Sequence, residues 1–181
     1  MGMFKRLGAF FLDIGEVIVF AVGIFFFIYL LILRPHKIKG ESMMPNLPDA
    51  EYLLTEKVSY YRENPQRGDV VVFTPPVSED EYIKRVIGLP GETISLKNGK
   101  IFINGKELEE NYLDINVYTD GSTFLAEGAE YKIPEGKYFV LGDNRPHSYD
   151  SRSWGPITKK VISGRAWLIY WPPNKAGVVK R

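Results

Sequence analysis

The chain has 181 residues, of which 45% are apolar, and its 23 Lys and Arg nearly balance its 22 Asp and Glu. Nucleic-acid-binding proteins cluster Lys and Arg against the phosphates, so this balance argues against nucleic acid as a partner. The chain has no cysteine, which excludes disulfides, thiolate metal sites and a cysteine nucleophile. The length fits one domain, or one domain with an anchor.

The first predicted element is an apolar helix near the N-terminus. Residues 17–33 carry no charge and span about 25 Å as a helix, and residues 14–16 supply the rest of a bilayer core of ~30 Å. The run is apolar on every face, so we predict that residues 14–33 cross a membrane. No small-x-small cleavage site follows, which favours a retained anchor over a cleaved signal peptide.

The charges that flank this span leave its orientation open. Lys5 and Arg6 precede it and three basic residues follow within the linker, residues 34–39, so the positive-inside rule weakly favours a cytoplasmic C-terminal part. The N-terminal segment, residues 1–13, is short. Residues 40–181 carry a net charge of about −2, so the globular part is mildly acidic.

After the anchor, the sequence changes to short alternating runs that are typical of β-strands. Asn98-Gly99 predicts a hairpin over residues 93–103, with a positive φ at Gly99. One short helix is predicted over residues 156–163 and ends at Gly164. The domain is therefore predicted to be mainly β. The predicted strands are Tyr52–Thr55, Val70–Phe73, Tyr82–Ile87, Thr93–Leu96, Ile101–Ile103, Lys137–Leu141 and Ala166–Tyr170.

Ser42 lies between Gly40 and Pro45, in a segment that must turn sharply. Most serines in such segments are only turn residues. A nucleophilic serine needs a base within hydrogen-bonding distance, because its hydroxyl otherwise keeps its proton at neutral pH. The sequence offers Lys84 and His147 as that base.

Lys84 and Arg85 are neighbours in a strand-like run, so alternation points their side chains to opposite faces. Both could reach water from an exposed sheet edge. An ordinary lysine, with a pKa of about 10.4, is almost fully charged at pH 7. Lys84 can therefore act as a base only where dry surroundings lower its pKa.

Four motifs stand in order behind the predicted anchor. Together they resemble the motif set of type I signal peptidases, the bacterial leader peptidases, in the small Gram-positive-like branch. A later GRAW segment at 164–167 and a YWPP segment at 170–173 fit the same branch. The four motifs are 40–47 (GESMMPNL), 67–73 (RGDVVVF), 82–92 (YIKRVIGLPGE) and 142–152 (GDNRPHSYDSR).

The resemblance implies a role for each matched residue. Ser42 would be the nucleophile, Lys84 the general base, and Ser148 the hydroxyl that orients the lysine amine. Some family members carry a serine at the position of Gly40 that helps hold the oxyanion, so here the Ser42 N–H would carry that role, with help from the Gly40 backbone or a water. Three residues, Asp143, Asp150 and Arg152, would form a supporting layer of ion pairs and hydrogen bonds.

The resemblance also implies the fold, the substrate and the location. We expect an antiparallel β catalytic domain, residues 40–181, with a small inserted subdomain at about 91–135 and no metal or organic cofactor. The substrates would be signal peptides of exported preproteins, with small residues at the first and third positions before the cut. The domain would lie outside the cytoplasmic membrane near the export machinery, with residues 1–13 in the cytoplasm.

No charge occurs from Ser42 to Pro48, and three large apolar residues, Met43, Met44 and Leu47, lie in this stretch. They could pack in the core. Alternatively, together with Tyr82, they form an apolar face that contacts the substrate and the lipid bilayer and helps to dry Lys84.

Two other protein classes share parts of this pattern. A self-cleaving repressor-type protease uses the same serine and lysine chemistry, but it is soluble and usually carries a DNA-binding domain, so the predicted anchor argues against it. An inactive, membrane-tethered β module would keep the motifs without the chemistry. Acyl or phosphonate labelling of Ser42 distinguishes an enzyme from such a module.

Overall fold

The structure is a computed structural model that describes residues 2–181; the side chains at 3–6, 30 and 31 lie outside this description. Contacts divide the chain into two units, one up to Arg34 and the other from Pro35 to Arg181. Helix α1, Met3–Ile32, forms most of the first unit, and its part from Leu7 to Tyr29 is long and apolar enough to cross a membrane. It begins well before residue 14, where the sequence placed the start of the anchor.

Twelve strands, two single-turn α-helices and three single-turn 3₁₀ helices follow. Two of the strands, Val70–Phe73 and Lys137–Leu141, have the predicted bounds, and the other predicted strands are one to five residues longer. The α-helices are α2, Ser59–Arg62, and α3, Ser151–Trp154. The strands are β1, Leu33–Lys37; β2, Tyr52–Glu56; β3, Val70–Phe73; β4, Tyr82–Gly88; β5, Thr93–Lys97; β6, Lys100–Ile103; β7, Lys106–Glu107; β8, Glu130–Lys132; β9, Lys137–Leu141; β10, Ile157–Thr158; β11, Ile162–Trp171; and β12, Gly177–Val178.

The strands form two sheets. The larger has the order β1-β2-β11-β3-β4-β9-β10, with β12 paired to β11, and the smaller has the order β7-β6-β5-β8. The pairs from β2 to β12 are antiparallel, which confirms the prediction of a mainly antiparallel β fold. The smaller sheet spans 93–132, inside the segment 91–135 that was expected to form an insertion.

Strand β4 lies between β3 and β9 in the larger sheet, where both neighbours are apolar. Lys84 stands opposite Val71, and Arg85 stands opposite Val70 and Leu141. Both charged side chains are therefore enclosed, at 3% and 1% exposed, rather than extended to water from a sheet edge.

Three apolar clusters fill the domain. One joins the smaller sheet to β4 and β9 through Ile87, Phe139 and Leu141. A second contains Met43 and Leu47 from the Ser42 segment. The third lies along the middle of the larger sheet, and its members are Val71, Phe73, Val86, Tyr138, Val140 and Ile157.

Two expectations about local structure were wrong. Residues 156–163 do not form one helix: Ile157 is buried and pairs with Tyr138 as part of β10, only Lys159–Val161 make a single 3₁₀ turn, and β11 begins at Ile162. The helical turn lies earlier, at α3, where the Asp150 side chain caps it by accepting from the Arg152 N–H, and Gly155, with φ +87°, ends it. The expected linker 34–39 begins as strand β1 and pairs with β2.

The two turns of the smaller sheet have different surroundings. Asn98 and Gly99 have φ of 53° and 73°, as the predicted hairpin requires. A side-chain carbon on Gly99 would lie 2.2 Å from the ring of Tyr118, which covers this turn. The turn at Asn104-Gly105 also has positive φ, but a side-chain carbon on Gly105 would meet nothing within 4 Å.

Candidate active site

The fold brings Ser42 and Lys84 into contact across 42 positions of sequence. The Lys84 Nζ donates to Ser42 Oγ at 2.7 Å and to the carbonyl of Ile83 at 3.0 Å. The same Nζ lies 5.4 Å from the centre of the Tyr82 ring. Among the two bases that the sequence offered, the described structure therefore places Lys84 against the serine hydroxyl.

Burial changes the acidity of Lys84. Loss of hydration lowers the pKa of Lys84 to about 8, against the opposing effect of the Asp150 and Asp143 carboxylates, which raise it. Near pH 8 a large share of the amine is thus neutral and can accept a proton. This is the property that a lysine needs before it can serve as a general base.

The Ser42 segment is held by the loop that follows β9. The Asn144 backbone N–H donates to the Ser42 carbonyl at 3.0 Å, and the Asn144 Nδ2 donates to the Glu41 carbonyl at 3.0 Å. A side-chain carbon on Gly142 would lie 2.4 Å from the Ser42 carbonyl oxygen and 2.2 Å from Ser148 Oγ. Only glycine permits this close approach.

Ser148 lies beside this contact but does not bond to Lys84. Its Oγ is buried and has no hydrogen-bond partner among the groups that the structure describes. It packs against Gly142, next to the Ser42 carbonyl. The expected role of Ser148 in orienting the lysine amine therefore remains a prediction.

The supporting charges form two separate ion pairs. Asp143 accepts from Arg85 at both carboxylate oxygens, at 2.8 and 2.7 Å, and both side chains are almost fully buried. Asp150 accepts from Arg152 at 2.9 Å on each oxygen and also from the Gly142 N–H at 3.1 Å. The layer expected from Asp143, Asp150 and Arg152 is present, but Asp143 pairs with Arg85 and not with Arg152.

Sequence reasoning missed Arg85 as a member of this site, although alternation along the strand placed it on the face opposite to that of Lys84. Its guanidinium also stacks 4.1 Å from the centre of the Tyr112 ring. Asn46 was missed as well; its Nδ2 donates to Asp143 Oδ2 at 2.9 Å and to the Tyr112 carbonyl at 2.8 Å. No local pattern marks these residues, because Asp143, which both of them contact, lies 58 positions from Arg85 and 97 from Asn46.

The segment that joins β7 to β8 in the smaller sheet contacts the loop after β9 through Arg145 and Arg152. Arg145, 1% exposed, pairs with Glu110 and donates to Thr119 Oγ1 at 2.8 Å. Arg152 donates to the carbonyl of Asp120 at 2.9 Å. Residues 108–126 thus hold the loop that carries Ser148 and Asp150.

Gly40 does not fit its expected part in holding an oxyanion. Its N–H donates to Asp49 Oδ1 at 2.7 Å, so this donor is already engaged. With φ +86°, the residue adopts a conformation that side-chain-bearing residues rarely take. In the described structure the Gly40 N–H is therefore bound to Asp49 rather than open to a substrate, and the role that the resemblance implies for the Ser42 N–H remains a prediction.

The expected apolar face is also smaller than the sequence indicated. Met43 and Leu47 are each 1% exposed and pack in the core, so including them in an exposed face was wrong. Met44 is 38% exposed and Tyr82 is half-buried. The segment around Ser42 turns so sharply that successive apolar side chains point in different directions.

A groove of about 590 Å³ passes Ser42 and Lys84. Its lining includes residues 36–43 on one side and 80–84 on the other, with His147 and Tyr149 from the catalytic loop. His147 is exposed, and its Nδ1 lies 3.2 Å from Asn144 Oδ1. Within residues 2–181, no group of three or more His, Cys, Asp or Glu is arranged to hold a metal ion.

Comparison with known proteins gives matches over most of the chain. A family model described as signal peptidase, peptidase S26, matches residues 11–171. Signal peptidase I of Leptolyngbya laminosa is 40% identical over 172 residues, covering 91% of this chain and 79% of that protein. Signal peptidase I T of Bacillus subtilis (strain 168) is 37% identical over 169 residues, covering 91% and 88%. A signal peptidase I crystal structure from Enterococcus faecalis V583 is 33% identical, covers 57% of this chain and 97% of that one, and has a TM-score of 0.47.

Proposed function

Because the chain belongs to the signal peptidase family, peptidase S26, and is therefore a serine peptidase, we propose that it cleaves signal peptides from exported preproteins with Ser42 as nucleophile and Lys84 as general base. The family membership confirms the resemblance that the four sequence motifs indicated. The observation that supports the two roles is the 2.7 Å contact between Ser42 Oγ and the buried Lys84 Nζ.

The chemistry follows from that contact. Neutral Lys84 takes the proton from Ser42 as its oxygen attacks the scissile carbonyl, and the resulting ammonium gives a proton to the leaving amine. This step leaves an acyl group on Ser42. A water, deprotonated by Lys84, then hydrolyses the ester and restores the serine. The negative oxygen formed in each attack is held by the Ser42 N–H.

The substrate would lie extended in the groove beside Ser42. An extended peptide can pair with the exposed backbone of the segments that line such a groove, and shallow pockets then select small side chains. We propose that these pockets take the first and third residues before the cut. Protein partners other than the preprotein would be the export machinery that delivers it.

The enzyme would be anchored by one membrane span, which the sequence predicted at residues 14–33 and which corresponds in α1 to Leu7–Tyr29, with the peptidase domain outside the cytoplasm. The length and apolar composition of α1 support the span. Met44 is the part of the expected apolar face that remains exposed, and it would meet the lipid surface where the cut site emerges.

We expect the purified full-length protein, in detergent, to convert a preprotein to its mature form at a single bond. Sequencing the new N-terminus should place small residues at the first and third positions before the cut. The Ser42→Ala variant, prepared in the same way, is the control for contaminating proteases. Cleavage at unrelated bonds, or equal cleavage by the variant, would contradict the proposed function.

The orientation is testable in intact cells. Protease added to spheroplasts should digest residues 40–181 without lysis, whereas a cytoplasmic marker protein should survive. Digestion only after lysis would show that the basic residues following the span, and not the family relationship, predict the orientation.

A further inference from the structure

The peptide bond between Glu41 and Ser42 is fixed from the loop after β9. Asn144 donates hydrogen bonds to two successive carbonyl oxygens. Its side-chain Nδ2 donates to the carbonyl of Glu41 and its backbone N–H to the carbonyl of Ser42, each at 3.0 Å. Because both carbonyls are bound to one residue, this peptide cannot rotate without breaking a bond to Asn144.

The same contact determines where the Ser42 N–H points. The bond between Glu41 and Ser42 is trans, and in a trans peptide the N–H points away from the preceding carbonyl. Since that carbonyl points to Asn144, the N–H points away from Asn144. Within the described residues, this N–H donates to no other group, so it is free to bind a substrate atom.

His147 lies against the oxygen of the Asn144 amide. Its Nδ1 lies 3.2 Å from Asn144 Oδ1, and a proton on Nδ1 makes the ring the donor and the amide oxygen the acceptor. The amide nitrogen is then left facing the Glu41 carbonyl. A continuous chain of hydrogen bonds thus runs from His147 through Asn144 to the peptide that carries the Ser42 N–H.

We propose that Asn144 is a positioning residue that aims and polarises the Ser42 N–H toward the oxyanion formed during cleavage, an inference that rests on the proposed role of Ser42. A hydrogen bond to a peptide carbonyl strengthens the N–H of that same peptide as a donor. The aim of this donor matters here because the neighbouring Gly40 has no side chain and its N–H is bound to Asp49.

The test compares Asn144→Ala with a matched surface change, Asn116→Ala, in the full-length protein. We expect Asn144→Ala to lower kcat by about 10- to 100-fold, because a displaced oxyanion donor loses most of its effect. The KM, the melting temperature and the pH midpoint of the rate should match those of the wild type. Asn116, which is exposed, should tolerate alanine without a change in kcat.

A second readout reports on the oxyanion directly. A peptide aldehyde, which forms a tetrahedral adduct with a serine, should bind Asn144→Ala more weakly by the same factor as the loss in kcat, while a product peptide should bind equally. If the Asn144→Ala variant does not fold, His147→Ala is used instead. It should lower kcat and the affinity for the aldehyde by about twofold to fivefold, with the affinity for the product peptide unchanged.

Three results would overturn the inference: an unchanged kcat, a loss in kcat accompanied by a shifted pH midpoint, or equal weakening of aldehyde and product peptide. The last two would mean that Asn144 only maintains the fold. Failure of the proposed function is distinguishable, because Ser42→Ala would then cleave as fast as the wild type whatever the Asn144 variants do.

Discussion

Replacing Lys84 with alanine is expected to reduce the rate of preprotein cleavage by about 10⁴-fold or more, and Ser42→Ala should do the same. Lys84 Nζ is within 2.7 Å of the serine oxygen, and no other side chain supplies a base at that position in the described contacts. The rates are to be measured with purified, folded protein. Since nucleophile and base act in one step, the double variant should be no slower than either single variant.

The matched comparison is His147→Ala, which removes the other base that the sequence offered. It should reduce the rate by no more than about fivefold, because His147 contacts Asn144 and not Ser42. A dead His147 variant together with an active Lys84 variant would assign the base to His147 instead.

The pH profile gives an independent check on the same assignment. Burial lowers the pKa of Lys84 to about 8, and only the neutral amine accepts a proton. The rate should therefore rise with pH through a midpoint near 8 and fall about tenfold for each pH unit below it. A midpoint near 6.5 would indicate an imidazole.

Replacing Asp143 with alanine is expected to destabilise the domain by about 3–5 kcal/mol, because it leaves the Arg85 guanidinium buried without its counter-charge. The two side chains are 2% and 1% exposed in the intact pair. For a domain of this size, the melting temperature should fall by roughly 10 °C. Thermal unfolding followed by circular dichroism measures the change.

An exposed ion pair provides the control. Lys97 and Glu130 lie 3.0 Å apart, but their side chains are 48% and 58% exposed. Because water screens such a pair, Glu130→Ala should change the stability by less than about 1 kcal/mol. If the Asp143 and Glu130 variants melt at the same temperature, the buried pair does not stabilise the fold as argued.

Much of the fold could be predicted because successive side chains of a strand alternate between its two faces. The run from Tyr82 to Ile87 placed Lys84 and Arg85 on a strand and on opposite faces, and the Asn98-Gly99 pair located a hairpin. The error at residues 156–163 has a simple cause. Proline and glycine at suitable positions suggested a helix, but burial of Ile157 beside Tyr138 favoured a strand.

The candidate site could be predicted only in part. The motifs indicated Ser42 and Lys84, yet the pairing of Asp143 with Arg85 depends on which strands become neighbours. Nor does sequence show that the Gly40 N–H is taken by Asp49, or that Met43 points inward while Met44 remains exposed. Those outcomes depend on the path of one tight turn.

The contacts of residues 108–126 with the catalytic loop restrict where this chain can change in length during evolution. Adding residues within that segment would displace Glu110, Thr119 or Asp120 from the arginines that they hold. The turn at Asn98-Gly99 is closed to such additions by Tyr118. At the next turn, Asn104 bonds to Thr93, but a side-chain carbon on Gly105 would meet nothing within 4 Å. We therefore expect affinity tags or fluorescent labels to be tolerated at Gly105, away from the segment that contacts the loop after β9.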